Sequence, residues 1–288
     1  MTAMAGVAKR QRRYRGLTAA ERHRQRRELL LDAGLELFGT LGYAASSVRA
    51  ISQQAGLNSR YFYESFTDRE ALLIAVYERI VAEIAEAIVA ATKDARTIAD
   101  QARWGLDANW AILTGDRRKA RVLAIEVVGV SERLEALRRA YRHAFADLLV
   151  QNSALIVGKE LETKLDPVLV ARALVGGSID ILVDWINGEV SHDRETIVEH
   201  FTVLYTAAAA AAIGETQAKF MRRARTLPAG SNGLGAVRVQ IEQARELAGA
   251  ARGSRGTRSA RAKGGEIKRS AVREPRRRGA SGAGARAG

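Results

Sequence analysis

The sequence predicts an all-α protein, and three observations predict it. Apolar residues recur at spacings of three and four through most of the chain. No run of alternating apolar and polar residues is long enough for a convincing strand. Pro167 is the single proline between Thr18 and Leu227, so little interrupts helix over that span.

The elements come in order. Thr18-x-x-Glu21 is a capping box, in which the threonine hydroxyl serves the amide of Glu21 and the glutamate reaches back. The helix it opens carries Leu30, Ala33, Leu37 and Phe38 on one face, and Gly42 offers a left-handed stop. Ser46 or Ser47 caps a second, short helix with Val48, Ile51 and Ala55 inward. Gly56 breaks it, and a third short helix runs from about Asn58 to Glu64. Thr67-x-x-Glu70 reads as another capping box, opening a long helix whose buried stripe is Leu72, Leu73, Val76, Ile80, Ile84 and Ile88. Two short helices joined by a glycine turn and locked between longer ones form the helix-turn-helix plan.

Further helices are expected at about 94–114, 117–127, 131–157, 166–188 and 194–213. Gly176-Gly177-Ser178 lies inside one of them, where glycine costs roughly 1 kcal/mol relative to alanine. Ala207 to Ala212 is an alanine run in the last. Small residues let helix axes approach closely, so these two helices are expected at a tight helix–helix or subunit interface, with ordinary packing inside the chain as the alternative. A weak amphipathic helix is expected within 229–250. Beyond it Gly, Ala, Ser and Arg dominate, and residues 251–288 are expected to be disordered.

The chain of 288 residues contains no cysteine, which excludes disulfide scaffolds, thiolate metal sites and cysteine nucleophiles. Its longest uncharged stretch of interest, 201–214, is shorter than the ~20 residues a membrane span takes, and the first 30 residues lack a signal-type apolar core, so a cytoplasmic protein is expected. The formal charge of +14 is uneven: residues 1–27 carry +8 and residues 251–288 carry +10, which leaves −4 between them. Two basic ends on an acidic body are a footprint for a polyanion.

The stretch from Leu29 to Ile80 resembles the N-terminal domain of the tetracycline-repressor (TetR) family. The resemblance rests on A-x-x-x-L-F at Ala33–Phe38, Gly42-Tyr43, the small polar pair Ser46-Ser47, and I-x-x-x-A-G at Ile51–Gly56. It continues through Tyr63, Phe66 and Asp68-Arg69-Glu70. It implies a dimeric, sequence-specific DNA-binding regulator, a repressor released from its operator by a small-molecule effector. The implied layout is a basic arm at 1–17, a helix-turn-helix domain at 18–67, and a helical effector-binding and dimerisation domain at 68–227. A linker at 228–250 and the basic tail at 251–288 complete it.

A helix entering the major groove presents its first turn to base edges, while the preceding helix and its cap hold phosphates. That places Ser46, Ser47 and Arg49 at backbone oxygens, and Ser59, Arg60 and Tyr61 on the exposed first turn of the third helix. Arg60 is expected to make a bidentate guanine contact or to grip a phosphate; Tyr61 packs on a thymine methyl or on a sugar. The resemblance makes Tyr63 a phosphate contact and puts Arg69 where the family usually has lysine. Lys9, Arg10, Arg12, Arg13 and Arg15, interleaved with Tyr14, suit a minor-groove arm or a loose leader.

In the body, Trp104, Asp107 and Trp110 recur at spacing three, so they are expected on one helix face as a pocket for an apolar or cationic ligand. Glu126, His143 and Trp185 join them as candidates, against the plainer reading that tryptophans fill core. His23, His143, His192 and His200 form no His-Glu-x-x-His pair, and there is no phosphate-cradling glycine loop. No catalytic site, metal or cofactor is therefore expected. The competing class is an architectural nucleic-acid-binding protein acting through its basic ends.

Overall fold

The computed structural model describes residues 18–157, 165–212 and 246. The chain divides into units of residues 1–250 and 251–288, and every described residue belongs to the first. The arm at 1–17, the weak helix at 229–250 (Glu246 apart) and the tail fall outside the described residues. Among those described there are nine α-helices, one π-helical turn and no strand.

The head is α1 (Ala19–Thr40), α2 (Val48–Ala55) and α3 (Ser59–Ser65). The Thr18/Glu21 capping box forms as expected, with Thr18 N donating to Glu21 Oε2 over 2.7 Å. Gly42 (φ 93°) turns the chain after α1, and Gly56 (φ 66°) ends α2 in the left-handed region that only glycine enters at little cost. Ile51, Ala55, Phe62 and Phe66 close the head's core against Leu30 and Phe38. Helix α4 (Arg69–Thr92) is capped differently from expectation. Asp68 is its N-cap, accepting from Ala71 N over 2.7 Å, while Thr67 only donates to Asp68. The carboxylate is the stronger acceptor for an amide at the positive helix end.

The body continues with α5 (Ile98–Gly115) and α6 (Arg117–Arg121). After them come the π turn (Val122–Glu126), α7 (Glu132–Val157), α8 (Pro167–Asn187) and α9 (Arg194–Ala212). The segment expected as one helix over 117–127 is thus an α turn followed by a π turn, which inserts an extra residue and rotates the downstream chain by about 100°. One hydrophobic core runs from Leu30 through α4 to Val198 without a break at 67/68. Helix α4 therefore packs on the head and walls the body at once.

Among the described residues, no atom outside the local helix lies within 4 Å of where a Cβ on Gly176 or Gly177 would stand. Packing among the described residues does not account for their smallness. The alanine run behaves otherwise: Ala210 is buried beside Tyr205, with Ala102, Leu149 and Leu174 against them. Leu169, Val203 and Leu204 are large apolar side chains left exposed on α8 and α9. No helix among the described residues is long and apolar enough to cross a membrane.

Candidate functional site

The head offers a polar face built from two helix starts. Ser47 caps α2, accepting from Ala50 N over 3.1 Å, and stays exposed with Arg49 beside it. Asn58 caps α3, accepting from Arg60 N over 2.9 Å, and Ser59 is half-buried on the first turn. Arg60 has 85% of its side chain exposed, and Tyr63 is 62% exposed. Phe62 and Phe66 point into the core, which turns 60 and 63 outward.

Three expected contacts are placed differently. Ser46 is fully buried, and its hydroxyl donates to the Gly42 carbonyl over 2.7 Å, so it fastens the loop and faces no solvent. Arg69 is turned to the same loop: its Nη1 donates to the carbonyls of Tyr43 (3.0 Å) and Ser46 (2.5 Å), with the guanidinium 4.8 Å from the Tyr43 ring. Tyr61 is half-buried rather than projecting, because the Arg26 guanidinium of α1 lies 4.2 Å over its ring. Sequence reasoning missed Arg26; as one of four arginines between 22 and 27, it has no local signal that singles it out.

Inside the body is a cavity of about 230 Å³, walled by α4, α5, the π turn, α7, α8 and α9. Of the six body residues expected at a ligand, only Trp110 lines it. Three residues turn a helix through about 300°, so 104, 107 and 110 step backwards by about 60° each and end about 120° apart. Trp104 is consequently 38% exposed, and Asp107 faces Arg194 at 3.1 Å, half-exposed. The inner face of α5 is instead Ala102, Gly105, Leu106, Asn109, Trp110 and Leu113. Trp185 lies outside the cavity under the Arg117 guanidinium (5.6 Å). His143 also lies outside, its pKa depressed by burial and by nearby arginines, Arg172 first.

Trp110 is fully buried and stacked on Phe201, and among the described residues its Nε1 has no hydrogen-bond partner. Such an orphaned donor costs free energy until an acceptor meets it. The α7 wall carries Arg138, Tyr141, Arg142, Phe145 and Leu148 at helical spacing, an inward stripe with two cations in it. Arg138 is answered by Glu135 at 2.6 Å; among the described residues no ion pair engages Arg142. The cations are opposite in sign to the ligand-facing charge that Asp107 had suggested. A charged pair interrupting an apolar stripe was a signal available in the sequence.

Glu126 belongs to the seam between head and body. Its carboxylate accepts from Tyr43 N over 2.7 Å and pairs with Arg121 Nε over 2.7 Å. Three residues earlier on the same π turn, Leu123 lines the cavity. Beside this tie α1 and α6 nearly touch: Arg118 donates to Glu36 over 2.5 Å, and a Cβ at Gly39 would fall 2.3 Å from Arg118 Cβ. Arg118 also grips Asp116 (2.7 Å), holding that carboxyl below the usual range.

Residues 30–76 match the family model of the bacterial regulatory proteins, tetR family. The fatty acid metabolism regulator protein of Bacillus subtilis (strain 168) is 24% identical over 169 residues, which cover 57% of this chain and 85% of that protein. The HTH-type transcriptional activator FasR of Mycolicibacterium smegmatis is 24% identical over 179 residues, covering 61% of this chain and 78% of that one. Among solved structures, the transcriptional regulator FadR from Bacillus subtilis in complex with stearoyl-CoA shares the fold. Its TM-score is 0.55 at 21% identity, covering 63% of this chain and 98% of that one. The organised head and cavity-bearing body go beyond what non-specific binding through basic ends requires. Head motif and related regulators agree: residues 30–76 form a DNA-binding domain of the bacterial regulatory proteins, tetR family, and the chain as a whole is similar to transcriptional regulators that carry it.

Proposed function

We infer that the chain is a dimeric repressor, not an enzyme, that releases its operator when an apolar ligand with an anionic end fills the body cavity. Ser47, Arg49, Ser59, Arg60 and Tyr63 would face the duplex, with Tyr61 and Arg69 shaping that surface from behind. Two heads on half-sites about one helical turn (roughly 34–36 Å) apart would supply the affinity that one lacks. The open glycine face of α8 with Leu169, Val203 and Leu204 suits the dimer contact.

The observation that carries this reading is the π turn, with Leu123 in the cavity wall and Glu126 on the head's loop. At about 230 Å³ the cavity is smaller than the ~300–1,000 Å³ of drug-sized ligand sites, so a larger occupant must part its walls. A ligand that binds only the parted arrangement shifts the equilibrium between the two head positions. An acyl chain suits the apolar walls, its negative end suits Arg142, and an oxygen acceptor suits Trp110 Nε1. The Bacillus subtilis relative in complex with stearoyl-CoA carries such a ligand.

The test uses the full chain, a duplex it selects from a random pool, and three probes: stearoyl-CoA, stearate and methyl stearate. At least one anionic probe should abolish the gel shift at concentrations that alter tryptophan fluorescence. Arg142→Ala should weaken that probe several-fold and leave methyl stearate unaffected. Anionic probes that neither bind nor release DNA, or an Arg142→Ala variant indistinguishable from wild type, would overturn the ligand assignment.

A further inference from the structure

The recognition helix α3 carries a carboxylate where local physics does not favour one. Glu64 sits in the last turn of a seven-residue helix, where the macrodipole repels an anion. Its partner Arg60 precedes it by four residues, and cation-before-anion is the weaker order for such a pair. The carboxylate also stands beside Tyr63 on the segment meant for a polyanion. Helix stability alone therefore gives no reason for it.

What the carboxylate touches does. Glu64 Oε1 lies 3.4 Å from Arg60 Nε, and Oε2 lies 3.5 Å from Arg26 Nη2. Arg26 comes from α1, is mostly buried, and has its guanidinium 4.2 Å over the Tyr61 ring. His23, also on α1, lies with Nε2 3.2 Å from the Glu64 carbonyl. One residue thus joins a fixed arginine, held by a ring and the first helix, to a largely exposed one.

We propose that Glu64 is a positioning residue for base recognition, tethering Arg60 to the Arg26 anchor and keeping it from neighbouring phosphates. The proposal rests on the DNA-binding reading of the head. An untethered arginine at 60 reaches whichever phosphate is near and adds affinity without sequence information. A tethered one keeps its planar fork oriented, which bidentate contact with a base edge requires.

The test is a salt titration of the full chain on its selected duplex and on a scrambled one. Glu64→Gln keeps shape and removes the charge. It should raise affinity for scrambled DNA about two- to five-fold, the range an exposed ion pair allows. The selected site should gain less, so discrimination falls, and the log–log salt slope on scrambled DNA should steepen by about 0.9 as one more phosphate is engaged. In an Arg60→Ala background the same substitution should change none of these. Glu64→Asp keeps the charge but is too short to span both arginines, and should act in the same direction as Glu64→Gln. Unchanged discrimination and slope in Glu64→Gln overturn the proposal, as does an effect that persists without Arg60, which would be general electrostatics. If Glu64→Gln melts early, Glu64→Asp carries the same comparison. Failure to select any duplex would instead count against the DNA-binding reading itself.

Discussion

The tight approach between head and body gives a sharp prediction, the substitution Gly39→Ala. A Cβ on Gly39 would lie 2.3 Å from Arg118 Cβ and 2.7 Å from Arg118 Cα. Carbon atoms sit comfortably at about 3.5–4.0 Å, so the overlap exceeds 1 Å, and part of it is with backbone. The new methyl cannot be accommodated by swinging a side chain; α1 and α6 must separate. Overpacking of this kind costs about 1–3 kcal/mol. Helix propensity returns up to about 1 kcal/mol, less for the penultimate residue of a helix. The balance is a destabilisation of about 1–2 kcal/mol, which lowers Tm by roughly 2–8 °C at this size. Gly34→Ala is the control, because its nearest neighbours are the side-chain carbons of Leu72 and Val76, at 3.1–3.2 Å. These can give way, and about 1 kcal/mol or less is expected. Thermal melts at one fixed protein concentration, with a gel shift on the selected duplex, read both variants. Gly39→Ala should also bind DNA less tightly without ligand, since it pushes the seam apart as an occupied cavity would. A Gly39→Ala protein that melts at or above wild type would refute the argument that this contact is rigid.

Three further outcomes are expected. Glu126→Ala removes a charged acceptor, with its side chain 11% exposed, from the Tyr43 amide, a bond worth about 1.5–3 kcal/mol. It should shrink the ratio of operator affinities with and without the active probe, while Glu126→Gln keeps most of it; equal ratios in all three proteins would sever the π turn from the response. Gly177→Leu should raise the dissociation constant of the proposed dimer in sedimentation while the dilute chain stays folded, because among the described residues no atom outside the local helix lies within 4 Å of the new Cβ; an unaltered dimer places the interface elsewhere. His143, with its folded pKa depressed below the ordinary 6.5 by burial first and then by Arg172, favours the neutral ring when folded. The unfolded chain therefore binds the proton more readily, and stability falls as pH drops from about 6.5 toward the lower folded value. The carboxyls of Asp116 and Glu135, held below 3.8 and 4.5, weaken the fold only under more acid conditions. Chemical denaturation between pH 7 and 5 should show a smaller loss for His143→Gln than for wild type, and parallel losses would dismiss this account.

What was legible in the sequence was whatever is decided within a turn or two of chain. The Thr18–Glu21 box, the Gly42 and Gly56 stops and the Leu72–Ile84 stripe depend only on neighbours three or four residues away. Contacts between distant segments were not legible. Ser46 and Ser47 look alike, and only the Gly42 carbonyl decides which is buried. The 104–107–110 spacing drifts around its helix, so Trp110 went in while Trp104 went out. Thr67 lost the cap to Asp68 because a neighbouring carboxylate competed for the same amide. The π turn has no composition of its own; the sequence VLAIE would serve an α-helix as well.

The seam's hydrogen bonds have an unequal division of labour. On the head's side of the 42–46 loop the participating groups are main-chain: the Tyr43 amide answers Glu126, and the carbonyls of Tyr43 and Ser46 answer Arg69. Main-chain groups come with every non-proline residue, so those bonds do not depend on which side chains the head displays. Side chains proposed to face the groove can then be exchanged for others without rewriting the connection to the body. In engineering terms the head behaves as an interchangeable reader plugged into a fixed socket. A chimera exchanging only Arg49, Ser59, Arg60 and Tyr63 should acquire a new operator while still answering the original effector.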